Sequence, residues 1–433
     1  MHSNFILKPV QDIKVPLAIA VALVIASPAY ADESYSFTWY GQANVSYDVI
    51  NTGTTKGVGA EVGTSSSRLS SNSSLIGLKG SSDLGNGWYA LVQAEVTLGT
   101  DTGASGCQVP DSATPTQSSK WKCFFDRNTY LGVSNTDLGT LLAGRHDTPY
   151  KIATRSLDVF DGNIADNRSL MGTTILGGAN REVVPGALPV VYADPVVSET
   201  FDVRLSNLIM YTSPKLGGFN VAVGYSNLTE SNNFADQPSG SAVSVAGMFE
   251  QGDLYATIAY EDHTTDTKDS QGYDLTTTVK ATKLGLGYKL SILDLGFVYE
   301  KSRDTFGNMD PYDPASNPCG DMIVGANCSG HSTMYLSAKL NFTDKDAIKM
   351  AYTKAGQVGQ ASTDSGAIQF AMGLDHDFND VTTGYVLFST LKNDDLVRYG
   401  FSTAATSGDN SVNPTGSGGA APAVFSFGMK YAF

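Results

Sequence analysis

After its first thirty-one residues the chain has no apolar run long enough to cross a bilayer as a helix, which excludes a helical membrane bundle. Basic residues are outnumbered, 28 Lys and Arg against 43 Asp and Glu, for a formal net charge of −15. A surface of that sign repels a phosphate backbone, so no nucleic acid is expected as a partner. Charged residues make up only 16% while aromatics reach 10%, a balance that disordered chains lack. Histidine is scarce. His146, His263, His331 and His376 fall in separate loops or at a strand end, in no catalytic motif. The glycines sit in turns and strands rather than in a phosphate-cradling loop. Neither an enzyme nor a cofactor or metal site is therefore expected. The four cysteines, Cys107, Cys123, Cys319 and Cys328, have no companion histidines at zinc spacing. Three pairings are open to them. The local one, Cys107–Cys123 with Cys319–Cys328, staples two short loops and suits an oxidising compartment.

The N-terminus has the form of a secretory signal. Lys8 and Lys14 supply a positive flank, Val15 to Ala26 an apolar run, and Ala29-Tyr30-Ala31 small residues at the two cleavage-site positions. The apolar run is too short to span ~30 Å of hydrocarbon. Residues 1–31 are expected to be removed, leaving a domain over 32–433.

Throughout that domain side-chain character alternates with period two. Tyr35, Phe37, Trp39, Gly41, Ala43, Val45, Tyr47 and Val49 interleave with Ser36, Thr38, Tyr40, Gln42, Asn44, Ser46 and Asp48. The C-terminus repeats the pattern, with Phe425, Phe427, Met429, Tyr431 and Phe433 on one parity. Successive strand residues point to opposite faces, so each segment has one apolar and one polar face. Short Gly- or Asp-bearing turns at 83–87, 136–139, 215–218, 251–253, 291–294, 343–346 and 378–381 alternate with long polar connections. These lie near 51–70, 99–121, 146–203, 228–239, 263–276, 304–331, 356–364 and 394–420, so that sixteen strands are predicted. In lipid every backbone polar group must be paired, which strands achieve only in a closed barrel. The fold class read from the pattern is all-β: a 16-stranded antiparallel transmembrane β-barrel with short periplasmic turns and long extracellular loops.

Several stretches resemble the Gram-negative general porins. They include Trp39-Tyr40-Gly41-Gln42, Leu75 to Gly80 with Asp83 to Gly87, Asp126 to Val133, Leu138-Gly139 to Arg145, and Tyr211 to Pro214 with Gly217-Gly218-Phe219. The terminal Phe433 resembles that family's signal for the outer-membrane barrel assembly machinery. The resemblance implies a homotrimer in the outer membrane of a Gram-negative bacterium, in contact with lipid and lipopolysaccharide. It also implies an inward-folded third loop, here 146–203, narrowing a water-filled channel for passive diffusion of small hydrophilic solutes and ions.

Acidic groups on such a loop face basic groups on the wall across the narrowest point. The acidic candidates are Asp158, Asp161 and Asp166. The wall candidates are Arg127 and Arg145, expected to face the lumen because charge on the lipid face costs ~2–4 kcal/mol, together with Lys79 and Gln42. Gln42 and Leu75 stand where the family often carries basic residues. Mild cation selectivity is the resulting expectation, which Arg155, Arg168 and Arg181 in the loop would oppose. A substrate-selective channel and a plugged, adhesin-like barrel are the alternatives. Lumen-facing Gln42, Asn44, Ser46 and Asp48 are small and polar, and speak for water inside rather than packing.

Overall fold

A computed structural model describes residues 35–56, 62–101, 125–176, 196–199, 201–227, 239–268, 274–307, 330–357, 364–395, 397–401 and 418–433. The predicted signal, the four cysteines and Arg181 lie outside them.

Sixteen staves close on themselves in antiparallel order. They are β1 (Tyr35–Asn51), β2 (Ser65–Ser71 and Leu75–Gly85), β3 (Trp88–Thr97), β4 (Thr129–Asn135), β5 (Gly139–Asp147), β6 (Arg204–Thr212), β7 (Phe219–Asn227) and β8 (Ser239–Gln251). The circuit continues with β9 (Leu254–Lys268), β10 (Asp274–Leu290), β11 (Leu293–Gly307), β12 (Ser332–Asn341), β13 (Asp346–Ala355), β14 (Ala367–Asn379), β15 (Thr382–Asn393) and β16 (Ala423–Ala432). β2 is one stave broken at residues 72–74, since both of its segments pair with β1. Closure comes from β1 against β16, and Gly41 exchanges two backbone bonds of 3.0 Å with Phe433. No helix among the described residues is long and apolar enough to cross a membrane; the strands do the spanning.

Local chemistry sets these boundaries. Between β2 and β3 the two-residue link Asn86-Gly87 has φ of 53° and 77°, the left-handed pair that matches the twist of a hairpin. The polar stretch 263–276, expected as a connection, is mostly strand: β9 runs to Lys268 and β10 begins at Asp274. Thr is β-branched and strand-forming despite its polarity, and Thr264 pairs with Thr278 across the two staves at 3.1 Å. Likewise Ser65–Ser71 is strand rather than loop, and β11 reaches Gly307.

Outward positions carry exposed apolar side chains around the wall, among them Leu131, Ile209, Tyr225, Ile258, Leu284, Phe370 and Phe425. Trp39, Trp88 and Tyr431 sit outward near the short-turn end, as an interfacial aromatic girdle requires. The buried apolar core lies inside the barrel, where the third loop packs on the wall.

Candidate pore constriction

The third loop enters the barrel through a short helix, α1 (Pro149–Arg155). Thr148 caps it by accepting from the Lys151 amide, and Pro149 stands in the first turn, where no donor is needed. α1 lies on β7 to β10, whose lumen positions beneath it are small: Ala222, Ala246, Ala259 and Ala281 join Tyr150 and Ala153 in one buried cluster. Farther along, the Leu157 side chain drops onto Gly285 and Gly287. A Cβ at either glycine would meet a Leu157 methyl at 2.9 and 2.8 Å, so the seat exists only because those positions lack a side chain.

Polar contacts fix what the small residues admit. Lys283, fully buried, donates to Asp202 at 2.6 Å, lies 3.4 Å from Glu300 and sits over the Tyr150 ring. Glu300 accepts in turn from the Tyr150 hydroxyl and the Gly172 amide, both at 2.8 Å. One buried charge cluster thus ties both arms of the loop, through residues 150, 172 and 202, to β10 and β11. At the tip the Tyr335 hydroxyl donates to Asp158 at 2.8 Å, and Ser337 and Gln369 donate to the Leu157 and Ala165 carbonyls. Phe160, Ile164, Leu170 and Met171 pack on Val298, Ala351, Ala371 and Leu387.

The three acidic candidates converge on one guanidinium. Arg155 bonds Asp161, donates to Asp166 at 2.7 Å and stands 3.7 Å from Asp158. Arg168 grips Asp166 with two further bonds, at 3.0 and 2.8 Å. The Asp158 and Asp166 side chains have no solvent exposure, whereas that of Asp161 is 52% exposed. Burial, and then the neighbouring Asp166 charge, push the Asp158 carboxyl up to about 6. Asp166 is buried as well, but its two guanidiniums hold it well below the ordinary carboxylate range.

On the opposite wall, Arg127 precedes β4 rather than lying within it, 3.9 Å from Glu95. Glu95 accepts from the Tyr40 hydroxyl at 2.6 Å, and Lys79 lies over the Tyr40 ring on the lumen parity. Arg204 and Lys151 both pair with Asp147, at 3.1 and 2.8 Å; neither stands out from the sequence as a wall cation. Burial, with Arg168 and Arg204 nearby, pulls the Lys151 ammonium down to about 8. Arg68 stands in β2 and faces Asp48 across the pair, not in a loop. Gln42 points inward and donates to the Ser73 carbonyl.

Two expectations are corrected. Arg145 shares the outward parity of Leu141 and Ala143, and donates to the Asp126 carbonyl and Ser206. Ordinary alternation along β5 leaves Arg145 out and His146 in, and the bulge lies on β6, where Ser206 and Asn207 together stand opposite Arg145. Asn44, Ser46 and Asp48 do face inward, yet they are buried: Asp48 accepts from Ser46, Ser70 and Ser426, and Tyr385 donates to Asn44. Polarity there serves a packed hydrogen-bond network. The inner wall that keeps exposure is that of β2 and β3, at Lys79, Tyr89, Leu91 and Gln93. The four histidines among the described residues stay apart, His263 with Glu261 and His376 with Asp346 among them.

A family model described as Gram-negative porin matches residues 18–396. An outer membrane porin protein of Bordetella pertussis is 22% identical over 263 residues, 59% of this chain and 58% of that protein, so the match spans less than two thirds of the relative. Among solved structures, the anion-selective porin from Comamonas acidovorans superposes with a TM-score of 0.65 at 20% identity, covering 92% of this chain and 100% of that one. In-vitro folded OmpT of Vibrio cholerae gives 0.58 at 11% identity, over 94% and 100%. At such identities the likeness speaks to the barrel fold alone. By its family match and its closed barrel, this chain belongs to the Gram-negative porin family of the outer membrane.

Proposed function

We propose that the barrel is a water-filled channel for passive diffusion of small hydrophilic solutes and ions, narrowed by the loop 148–203, with weak selectivity that leans toward anions. The observation that carries this reading is the unequal exposure of the facing charges. Asp158 and Asp166 are enclosed and compensated by Arg155 and Arg168, which leaves Asp161 as the exposed acid of the loop tip. At two wall pairs the cations are the more exposed partners, Arg68 at 23% against 0% for Asp48 and Arg127 at 20% against 9% for Glu95, whereas Asp147 at 20% is more exposed than its partners Lys151 and Arg204. Lys79, exposed in the lumen, forms no carboxylate pair among the described residues. A low-dielectric wall strengthens whatever field remains. The mild cation preference expected from three loop carboxylates loses its support once two of them are buried. An anion-selective porin of the same fold is compatible with the opposite lean.

The same proposal includes a homotrimer, recognition of the Phe433 end by the barrel assembly machinery, and contact with outer-membrane lipid. An outward Arg145 hydrogen-bonded to Ser206 within the wall suits a protein neighbour better than hydrocarbon. The test is the reversal potential of the K79Q/R127Q double variant. Removing these two wall cations moves it toward cations while conductance persists; an unchanged potential contradicts the assignment.

A further inference from the structure

The inner wall of β1 to β4 carries aromatic surface that the passage of water and small ions does not call for. The Tyr40 side chain lies across β2 and covers Gly77: a Cβ there would meet its Cζ at 2.5 Å and its hydroxyl at 2.7 Å. That hydroxyl donates to Glu95 on β3 at 2.6 Å. From the other side Tyr130 on β4 donates to Gln93 at 3.0 Å, and Gln93 donates to the same Glu95 oxygen at 3.0 Å. The two rings are laid along the wall with their hydroxyls pinned to one strand, and both keep partial exposure. Strand register continues the strip toward the short-turn end, with Leu91 one lumen rung below Gln93 and Tyr89, 39% exposed, one rung farther. Rungs on one face are ~6.7 Å apart, so the strip runs ~13 Å along the wall. Contiguous apolar surface left facing water marks a ligand groove.

The polar groups beside the strip choose the class of ligand. Glu95 already accepts from Tyr40, Gln93 and the Asn128 amide, and the Gln93 carbonyl accepts from Tyr130. The acceptors that sugar hydroxyls need are therefore occupied, and an organic cation finds the carboxylate already compensated. Donors remain open. Lys151 and Arg204 are held by Asp147, but Lys79 is exposed, 5.3 Å from the centre of the Tyr40 ring. Arg127 stands 3.9 Å from Glu95, and its Nε has no hydrogen-bond partner among the described residues. Two cations thus border one aromatic ring. A planar aromatic acid brings both complements, a π face for the ring and a carboxylate for the guanidinium or ammonium.

We infer that this wall is a binding site for planar aromatic carboxylates, with the ring stacked on Tyr40 and the carboxylate drawn to Arg127 and Lys79. Leu91 and Tyr89 continue the path toward the short-turn end. The inference rests on the channel reading and deepens it by naming a solute class, but the binding can be measured without conduction. Weak affinity suits such a site, since a solute that passes must leave as readily as it enters. Stacking then sets the preference among acids of equal charge.

The test titrates the full-length protein in mild detergent by ligand-observed NMR, with benzoate, cyclohexanecarboxylate and benzyl alcohol as probes. The same solutes are added to single-channel recordings in potassium chloride. Wild type is expected to bind benzoate about threefold to tenfold more tightly than either other probe, and benzoate alone should interrupt the current. Y40F, which keeps the ring and loses the bond to Glu95, retains the preference over cyclohexanecarboxylate, whereas Y40L loses it. K79Q/R127Q no longer distinguishes benzoate from benzyl alcohol. Equal binding of benzoate and cyclohexanecarboxylate by wild type overturns the site, as does a preference that survives in Y40L. Loss of the preference in Y40F as well assigns it to the hydrogen-bonded ladder and overturns the stacking. Selective benzoate binding by a barrel that carries no current would sink the channel reading alone. Ohmic current with no benzoate binding would sink this site alone.

Discussion

Lys151 is the side chain at which the electrostatics of the constriction are most open to titration. It stands between Asp147, which favours its charge, and burial with Arg168 and Arg204, which oppose it. With its ammonium pulled down to about 8, it is largely charged at pH 7 and largely neutral at pH 9. Raising the pH over that range therefore removes positive charge from the constriction, and the reversal potential is expected to drift toward cations. The K151M variant should start displaced in that direction and show little further drift; a wild-type-like drift would place the titrating group elsewhere. The family resemblance singles out Asp158, Asp161, Asp166, Arg127 and Lys79, but not their pairing. Arg155 lies six residues from Asp161 and eleven from Asp166 on an irregular path, and only the folded loop brings the three carboxylates onto one guanidinium. Arg145 is misplaced for a different reason: its parity with Leu141 and Ala143 already sets it outward, and the cost of charge against lipid, which argues for the lumen, is relieved by its bonds to the Asp126 carbonyl and Ser206.

At the scale of elements, the third loop is held by a track of small lumen residues and by one buried charge cluster. Breaking an ion cluster by removing one member leaves uncompensated buried charge and costs about 3–5 kcal/mol. K283M strands Asp202 and Glu300 and should release the arms of the loop. The expected outcome is higher single-channel conductance and new protease cleavage within 148–203, from a barrel that is still folded. Wild-type conductance and protease resistance would show that the cluster is not the latch. G287L tests the track separately: its side chain occupies the space of Leu157, so the loop should be displaced without loss of any charge. The staves and turns were legible because period-two alternation and left-handed turn residues are local. The loop's path was not, since it is written on the other elements. Its trace in the sequence is the run Ala281, Lys283, Gly285 and Gly287 on the lumen parity of β10, three small residues and one buried ammonium where a water-lined wall would carry ordinary polar side chains.

For the whole molecule, closure of β1 on β16 leaves the barrel wall no free edge among the described residues, with an apolar face outward and a packed loop within. Most of the inner wall, from β7 round to β1, is covered by the third loop and by the segment 397–401, whose Val397, Tyr399 and Phe401 are buried with it. The inner face of β2 and β3 remains for solvent, and the exposed wall cations stand there. This remaining space must conduct if the barrel is a channel. Purified, heat-modifiable protein in a planar bilayer under a potassium chloride gradient tests that most directly. The prediction is stepwise, ohmic conductance with a small reversal potential on the anion-preferring side at pH 7. Folded protein that gives no conductance would contradict the channel reading and favour a barrel closed by its own loops.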